Sequence, residues 1–454
     1  MANNTAGPAG QGIDFNNRQL VDLIVPLVIE QMLAVAVGMA DSVMISVRGE
    51  AAMSGVSNVD TLNVLLINLF AALASGGAVV AAQYLGHKDF DKAKTAANQL
   101  VLSITVVSAA IMLFALAANG PLLRLIYGSV EPEVMRNSRI YFYITAASFP
   151  FLAVYNACAS LFRAMGNSRI SMQVSILMNL INITGNAIGL YVLGLGVEGV
   201  AYPTLISRAV AAVVMIILIR DEKNPLHIDR RLHLGFDPEM IKRILHIGVP
   251  NGLETSIFQI GKVMVQGLTA SFGTMATAAN AVASTVSGVA VIPGNAIGLA
   301  MITVVGQCVG ANDSRQAKEY AKKLMKLTYL ATAGINILLM LLLPVIIGLY
   351  HLQPDTAQLA RQIIIYYSIC CMAIWPASFT LPNALRAASD VRFTMMISIL
   401  SMWTFRIGFS YVLGIFFEMG VFGVWVAMTV DWLFRAICFT VRFAKGKWQH
   451  AFIG

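Results

Sequence analysis

The chain has 454 residues, 57% of them hydrophobic and 12% charged, with a formal net charge of +8 and a mean hydropathy of +0.73. Soluble domains carry about 25% charged and about 45–50% apolar residues. So few charges cannot cover a water-facing surface, which excludes a soluble enzyme, a disordered chain and a nucleic-acid binder, and leaves a polytopic protein whose partner is the lipid bilayer.

Residues 1–17 hold no basic residue and no apolar core, so they read as a flexible tail and not as a signal peptide. Crossing a bilayer takes roughly 20 apolar residues. Twelve such stretches follow, near 20–46, 60–84, 97–118, 139–162, 170–193, 197–219, 246–270, 278–308, 325–349, 363–385, 393–416 and 420–441. The runs are continuous, not short and alternating, which predicts helices and not a barrel. One set of loops collects 22 of the 31 basic residues, among them Lys88, Arg163, Arg230, Arg231, Lys318, Arg386 and Lys445. The positive-inside rule assigns that face, and both termini with it, to the cytoplasm. Segment 220–245 separates an N-lobe at 18–219 from a C-lobe at 246–443, and 444–454 forms a second tail. The five cysteines lie in apolar stretches without a CxxC pair, as small buried hydrophobes do.

Adding 224 to a position in the first half repeatedly lands on the same residue in the second. Val25-Pro26 becomes Val249-Pro250, Glu30 becomes Glu254, and Gln83, Gly86 and Asp89 become Gln307, Gly310 and Asp313. Arg163-Ala164 reappears as Arg386-Ala387 after a drift of one residue. Similar composition explains shared Leu and Ala, but not matched Pro, Glu, Gln and Asp. The expected fold is therefore all-α: 12 transmembrane helices in two six-helix lobes. Six is even, so both lobes enter the membrane in the same sense, and the pseudo-two-fold axis relating them runs along the membrane normal. Two lobes around a central cleft make an alternating-access architecture.

The sequence resembles the MATE (multidrug and toxic compound extrusion) family of cation-coupled antiporters. The resemblance rests on Gly38-Met39-Ala40-Asp41-Ser42, on the paired motifs Gln83-x-x-Gly86-x-x-Asp89 and Gln307-x-x-Gly310-x-x-Asp313, on Leu161-Phe162-Arg163-Ala164-Met165-Gly166 with Leu385-Arg386-Ala387, and on Asn182-x-x-x-Asn186. It covers residues 18 to 443. It implies a first-lobe cation site at Asp41, Asn156, Asn182, Asn186 and Thr204, and a second-lobe acid at Glu254. One archaeal branch has a second acid where this chain has Asn186, so a single carboxylate remains among the five first-lobe residues. The coupling ion is H⁺ or Na⁺, Asp41 being the metal ligand if it is Na⁺, and no other cofactor is expected.

Ionisable groups inside a membrane are costly and each needs a reason. A carboxylate at Asp41 can hold a proton or, among amide and hydroxyl oxygens, a hard cation. Glu30 and Glu254 each follow a proline by four residues, beside a backbone carbonyl the proline leaves free. Lys262, eight residues after Glu254, falls on roughly the same helix face and is a candidate for neutralising an acid. Arg406 occupies the repeat position of Asn186. Arg208, and Asp431 with Arg435 at i,i+4, read as structural ion pairs. Among 23 methionines and the aromatics of spans four and ten, Met39, Tyr155 and Trp375 are candidate cargo contacts. The function expected is export of small organic compounds, cations above all, by a monomer in the plasma membrane or a bacterial inner membrane. The alternatives are a lipid-linked oligosaccharide flippase of the same superfamily and an exporter of an endogenous metabolite. Flippases commonly have fourteen spans and a strongly cationic cavity.

Overall fold

The structure, a computed structural model, describes residues 13–128, 130–228 and 235–449. Most of the 1–17 tail, Arg230 and Arg231, and the end of the 444–454 tail lie outside them. Twelve helical rods run in chain order: α1 (Asn17–Ser46), α2 (Glu50–Gly86), α3 (Phe90–Tyr127), α4 (Pro132–Ala146 and Phe149–Ala164), α5 (Ser168–Val192), α6 (Glu198–Ile219), α7 (Pro238–Ser271), α8 (Thr274–Ala290 and Ile292–Gly310), α9 (Ser314–Leu341 and Leu343–Leu349), α10 (Pro354–Ala373 and Pro376–Ala387), α11 (Val391–Phe416) and α12 (Gly420–Ala444). Among the described residues, nine of these are long and apolar enough to cross a membrane, and counting each bent pair in α4 and α10 as one span makes eleven. The twelfth, α7, breaks its apolar run with Asn251, Glu254, Gln259, Lys262 and Gln266. Several rods outrun the apolar stretches of the sequence; α2 starts ten residues before position 60.

The repeat is visible in the backbone. Asp89 and Asp313 cap α3 and α9 by accepting from the amides of Lys92 and Gln316 at 3.1 and 2.9 Å. The residues before them, Lys88 and Asn312, both turn with positive φ, and so do Gly49 and Gly273 at the starts of α2 and α8. At φ of 93° and 101° a side chain would be strained, so glycine is required at both turns. The fourth rod of each lobe bends, by 47° in α4 and 59° in α10, where Pro150 and Pro376 remove a backbone donor.

The lobes exchange the first halves of their leading helices. Leu20, Leu23, Ile24 and Leu27 of α1 are buried among Ala296, Ala300, Val304 and Leu385 of the second lobe. Met240, Ile244 and Ile247 of α7 are buried in the core of the first lobe. Leu20 and Leu23 are the repeat partners of Ile244 and Ile247. Each exchanged segment ends close to a proline, Pro26 or Pro250. On this same face α2 and α8 cross at glycines: a methyl on Gly86 would collide with the carbonyl of Gln307, and one on Gly310 with that of Gln83. The amide of Gln83 donates to the carbonyl of Ala387 at 2.8 Å, and that of Gln307 to the carbonyl of Ala164 at 2.7 Å. The face that carries the basic loops is therefore closed by contacts made twice, once in each direction.

Overfilling a packed contact costs typically about 1–3 kcal/mol when the neighbour cannot yield, and here the neighbour is backbone. Gly86→Ala and Gly310→Ala are expected to lower the thermal midpoint of detergent-purified protein. Gly288→Ala, where a methyl meets open space, serves as the control and leaves it in place. Equal midpoints for all three variants would contradict the crossing.

Candidate functional site in the cleft between the lobes

The acids that follow the two prolines are both held by arginines. Glu30 on α1 pairs with Arg163 at 3.4 Å and accepts from the hydroxyl of Ser171 at 3.0 Å. Glu254 on α7 pairs with Arg386 at 2.7 Å and accepts from Ser398 at 2.6 Å. Arg163 and Arg386 are repeat partners, and the serines come from the equivalent helices α5 and α11. Glu254 has a second arginine, Arg435, at 3.6 Å, and is 6% exposed. Asp431 pairs with Arg406 at 3.7 Å and accepts from Ser401.

The other half of the bundle, away from the basic loops, contains a cavity of about 590 Å³ between α1, α2, α3, α4 and α6 of the first lobe and α7 of the second. That volume suits a drug-sized molecule. Asp41, Asp60, Tyr141 and Thr204 line it from one side, and Gln259, Lys262 and Gln266 from the other. Asp41 accepts from the side-chain amide of Asn186 at 2.7 Å. The same amide lies 3.3 Å from Oδ1 of Asn182, whose own amide donates to the hydroxyl of Thr204 at 3.1 Å. Four of the five first-lobe residues implied by the resemblance thus form one connected chain from α1 through α5 to α6. Oδ1 of Asn186 is buried with no donor. This oxygen, the Asp41 carboxylate and the Thr204 hydroxyl are a donor set fit for a hard cation. Beside that site, α5 passes into a π-helical turn at Ile188–Val192, as α11 does at Met402–Gly408.

The remaining candidates lie elsewhere. Asn156 does not join the chain; its amide nitrogen is buried with no partner. Tyr155 is buried within the first lobe, close enough to Glu30 and Arg163 to be acted on by their charges. Trp375 is buried and stacked on Phe379, with ring centroids 5.2 Å apart. Neither these two nor Met39, which is 51% exposed, belongs to the cavity wall. Lys262 and Glu254 do not share a face: eight residues turn a helix through about 80° beyond two full turns, which takes Lys262 into the cavity and leaves Glu254 against Arg386. Asp431 and Arg435 do not form an i,i+4 pair, since each reaches a different helix.

A second carboxylate in the cavity, Asp60, carried no signal in the sequence. It stands at the edge of the second apolar run and its repeat partner is Ser284. Its carboxylate accepts from the hydroxyl of Tyr141 at 3.0 Å and from the amide of Asn63 at 3.4 Å. The charges of Asp60 and of the half-buried Arg208 both act on Asp41. Arg208 donates to the hydroxyl of Ser148 at 2.7 Å.

Comparison with known proteins gives the family and the fold. The profile of the MatE family matches residues 26–188 and again 247–412, one match in each lobe. The uncharacterized transporter YisQ of Bacillus subtilis is 24% identical over 94% of both chains. The probable multidrug resistance protein NorM of Thermotoga maritima is 24% identical over 95% of this chain and 93% of its own. Among solved structures, the outward-facing conformation of a multidrug resistance MATE family transporter of the MOP superfamily superposes with a TM-score of 0.87 at 19% identity, covering 95% of this chain and 96% of the other.

Removing one partner of a buried ion pair leaves an uncompensated charge and costs about 3–5 kcal/mol. Glu254→Gln strands two arginines, whereas Glu30→Gln strands one in a more accessible pair. Thermal unfolding in detergent is expected to show the larger drop in midpoint for Glu254→Gln. A larger drop for Glu30→Gln, or none for either, would contradict the locked arrangement of these acids.

Proposed function

The chain belongs to the MatE family of multidrug efflux transporters, and on that footing we propose that it is a cation-coupled antiporter that exports organic cations by alternating access. The observation that carries this reading is the placement of Asp41. It stands in the wall of the cavity between the lobes, bonded to Asn186, with Asp60 as a second acid in the same wall. An ion-binding carboxylate and the space for cargo therefore coincide, so ion and cargo compete for one place.

The cycle follows from the closed and open faces. With the basic-loop face sealed by the exchanged segments of α1 and α7, H⁺ or Na⁺ reaches Asp41 from the other side and displaces the cargo. The lobes then rock about the axis between them. The bonds of Gln83 and Gln307 break together, and the ion leaves toward the basic face as new cargo enters. Pro26 and Pro250, at the ends of the exchanged segments, are where α1 and α7 can bend. We assign the basic loops to the cytoplasm of a plasma membrane or bacterial inner membrane. The working unit is one chain, since one chain supplies both lobes and the whole cavity. A monovalent cation moving inward through about 100 mV releases about 2.3 kcal/mol. A singly charged cationic cargo leaving in exchange for one such ion cancels that charge movement, so the potential sustains a cargo gradient of about fifty-fold only at one net charge inward per cargo, two ions for each organic cation, because about 1.4 kcal/mol is tenfold.

Proteoliposomes given a pH gradient or a Na⁺ gradient separately, and loaded with a fluorescent organic cation, test this directly. Wild type is expected to move the dye under one of the two gradients. Asp41→Asn is expected to slow gradient-driven efflux by about tenfold or more, the loss of roughly one charge-assisted contact. Wild-type rates in Asp41→Asn, or no response of the wild type to either gradient, would contradict the assignment.

A further inference from the structure

We propose that the cavity takes amphoteric cargo: the cationic group seats against Asp41 and Asp60 of the first lobe, and an anionic group of the same molecule seats against Lys262 of the second. The proposal shares with the antiport reading only the premise that the cavity between the lobes is the cargo site.

Lys262 enters the cavity from α7 with Gln259 and Gln266, which follow the same face of that helix. Its side chain is exposed there, and among the described residues no carboxylate lies within ion-pair distance of it. Its charged neighbour is Arg406, a second cation, and the two flank the ring of Phe258 at 6.0 and 5.1 Å. The acids of the second lobe are already committed: Glu254 to Arg386 and Arg435, and Asp431 to Arg406. In this interior cluster Arg386, Arg406, Arg435 and Lys262 thus stand against Glu254 and Asp431. Across the cavity the balance reverses: among the described residues, the cation whose charge acts on Asp41 and Asp60 is Arg208.

The two walls therefore carry opposite net charge. A lysine without a counter-ion inside a membrane protein is costly, and the cost grows when the chamber closes and water leaves. A cargo with only a cationic group satisfies the first wall and leaves Lys262 bare. A cargo that adds a carboxylate satisfies both, and the flanking glutamine amides of Gln259 and Gln266 supply further donors to it.

A pair of dyes that differ only in this group separates the possibilities. Rhodamine 110 carries a free carboxylate beside its cationic chromophore, and rhodamine 123 is its methyl ester. Binding to the purified full chain in detergent is read by fluorescence anisotropy, and efflux of each dye is read in proteoliposomes. Wild type is expected to bind rhodamine 110 more tightly than rhodamine 123. Lys262→Gln is expected to weaken rhodamine 110 by about tenfold, the loss of one charge-assisted bond, while binding rhodamine 123 at least as tightly as the wild type does, because the unpaired cation is gone. Lys262→Glu is expected to invert the preference. Equal affinity of the wild type for the two dyes, including no binding of either, or equal losses for both dyes in Lys262→Gln, would overturn the proposal. If both dyes bind as expected but no ion gradient drives either across the membrane, the dipolar cavity stands and the antiport reading falls.

Discussion

The first half of α1 lies in the core of the second lobe, and the first half of α7 lies in the core of the first. Leu20 and Leu23 on one side, and Ile244 and Ile247 on the other, are buried at repeat-related positions. Within a bilayer the alternative surroundings of such side chains are lipid tails and not water, so the exchange holds the lobes together at the basic face by close packing, without any covalent tie. The crossing of Gly86 with Gln307 and of Gly310 with Gln83 completes the closure, and the two glutamine amides bond across it. Because the glycine crossings and the glutamine bonds to Ala387 and Ala164 are each made once in either direction, a rotation about the axis releases both sets at once. The cavity at the opposite end exists because the lobes are joined at only one end.

The same closure sorts the acids. Glu30 and Glu254 lie just beyond the prolines and are paired with arginines, so their charges are spent on the joint. Asp41 and Asp60 lie further out and face the cavity. Asp41 accepts one hydrogen bond, from the side-chain amide of Asn186, and among the described residues makes no ion pair, which leaves it able to trade partners. Unequal commitment of carboxylates within one bundle is what separates a hinge from an exchange site. It also leaves the second lobe with an excess of basic groups, of which Lys262 alone lines the cavity.

Much of this was legible in the amino-acid sequence, and the reason is physical. Polar residues in apolar helices are few, so the offset that aligned Pro26 with Pro250, Glu30 with Glu254 and Gln83 with Gln307 revealed the duplication; that these residues meet at the joint between the lobes was not legible. The first-lobe chain Asp41–Asn186–Asn182–Thr204 was legible through the resemblance. Asp60 was not, because it breaks the repeat and stands at the edge of an apolar run, where an acid reads as a loop residue. The partners of Glu254 and Asp431 were not legible either. They depend on the rotation of α7, α11 and α12 against one another, and the π-helical turns in α11 shift that rotation away from the regular period. Trp375 and Tyr155 show the same limit: an aromatic in an apolar helix packs inward or lines a cleft according to its neighbours, not its spacing.

The central claim is that the joint at the basic face and the cavity at the other face open in alternation. Double electron–electron resonance between spin labels at repeat-related positions measures this. One pair, Asp91→Cys with Arg315→Cys, spans the joint, and a second, Met53→Cys with Thr277→Cys, spans the mouth of the cavity, in a background with the native cysteines replaced. Exchanging the coupling ion for cargo is expected to lengthen one distance while shortening the other. Distances that change in the same sense, or that stay fixed under every combination of ion and cargo, would contradict the account.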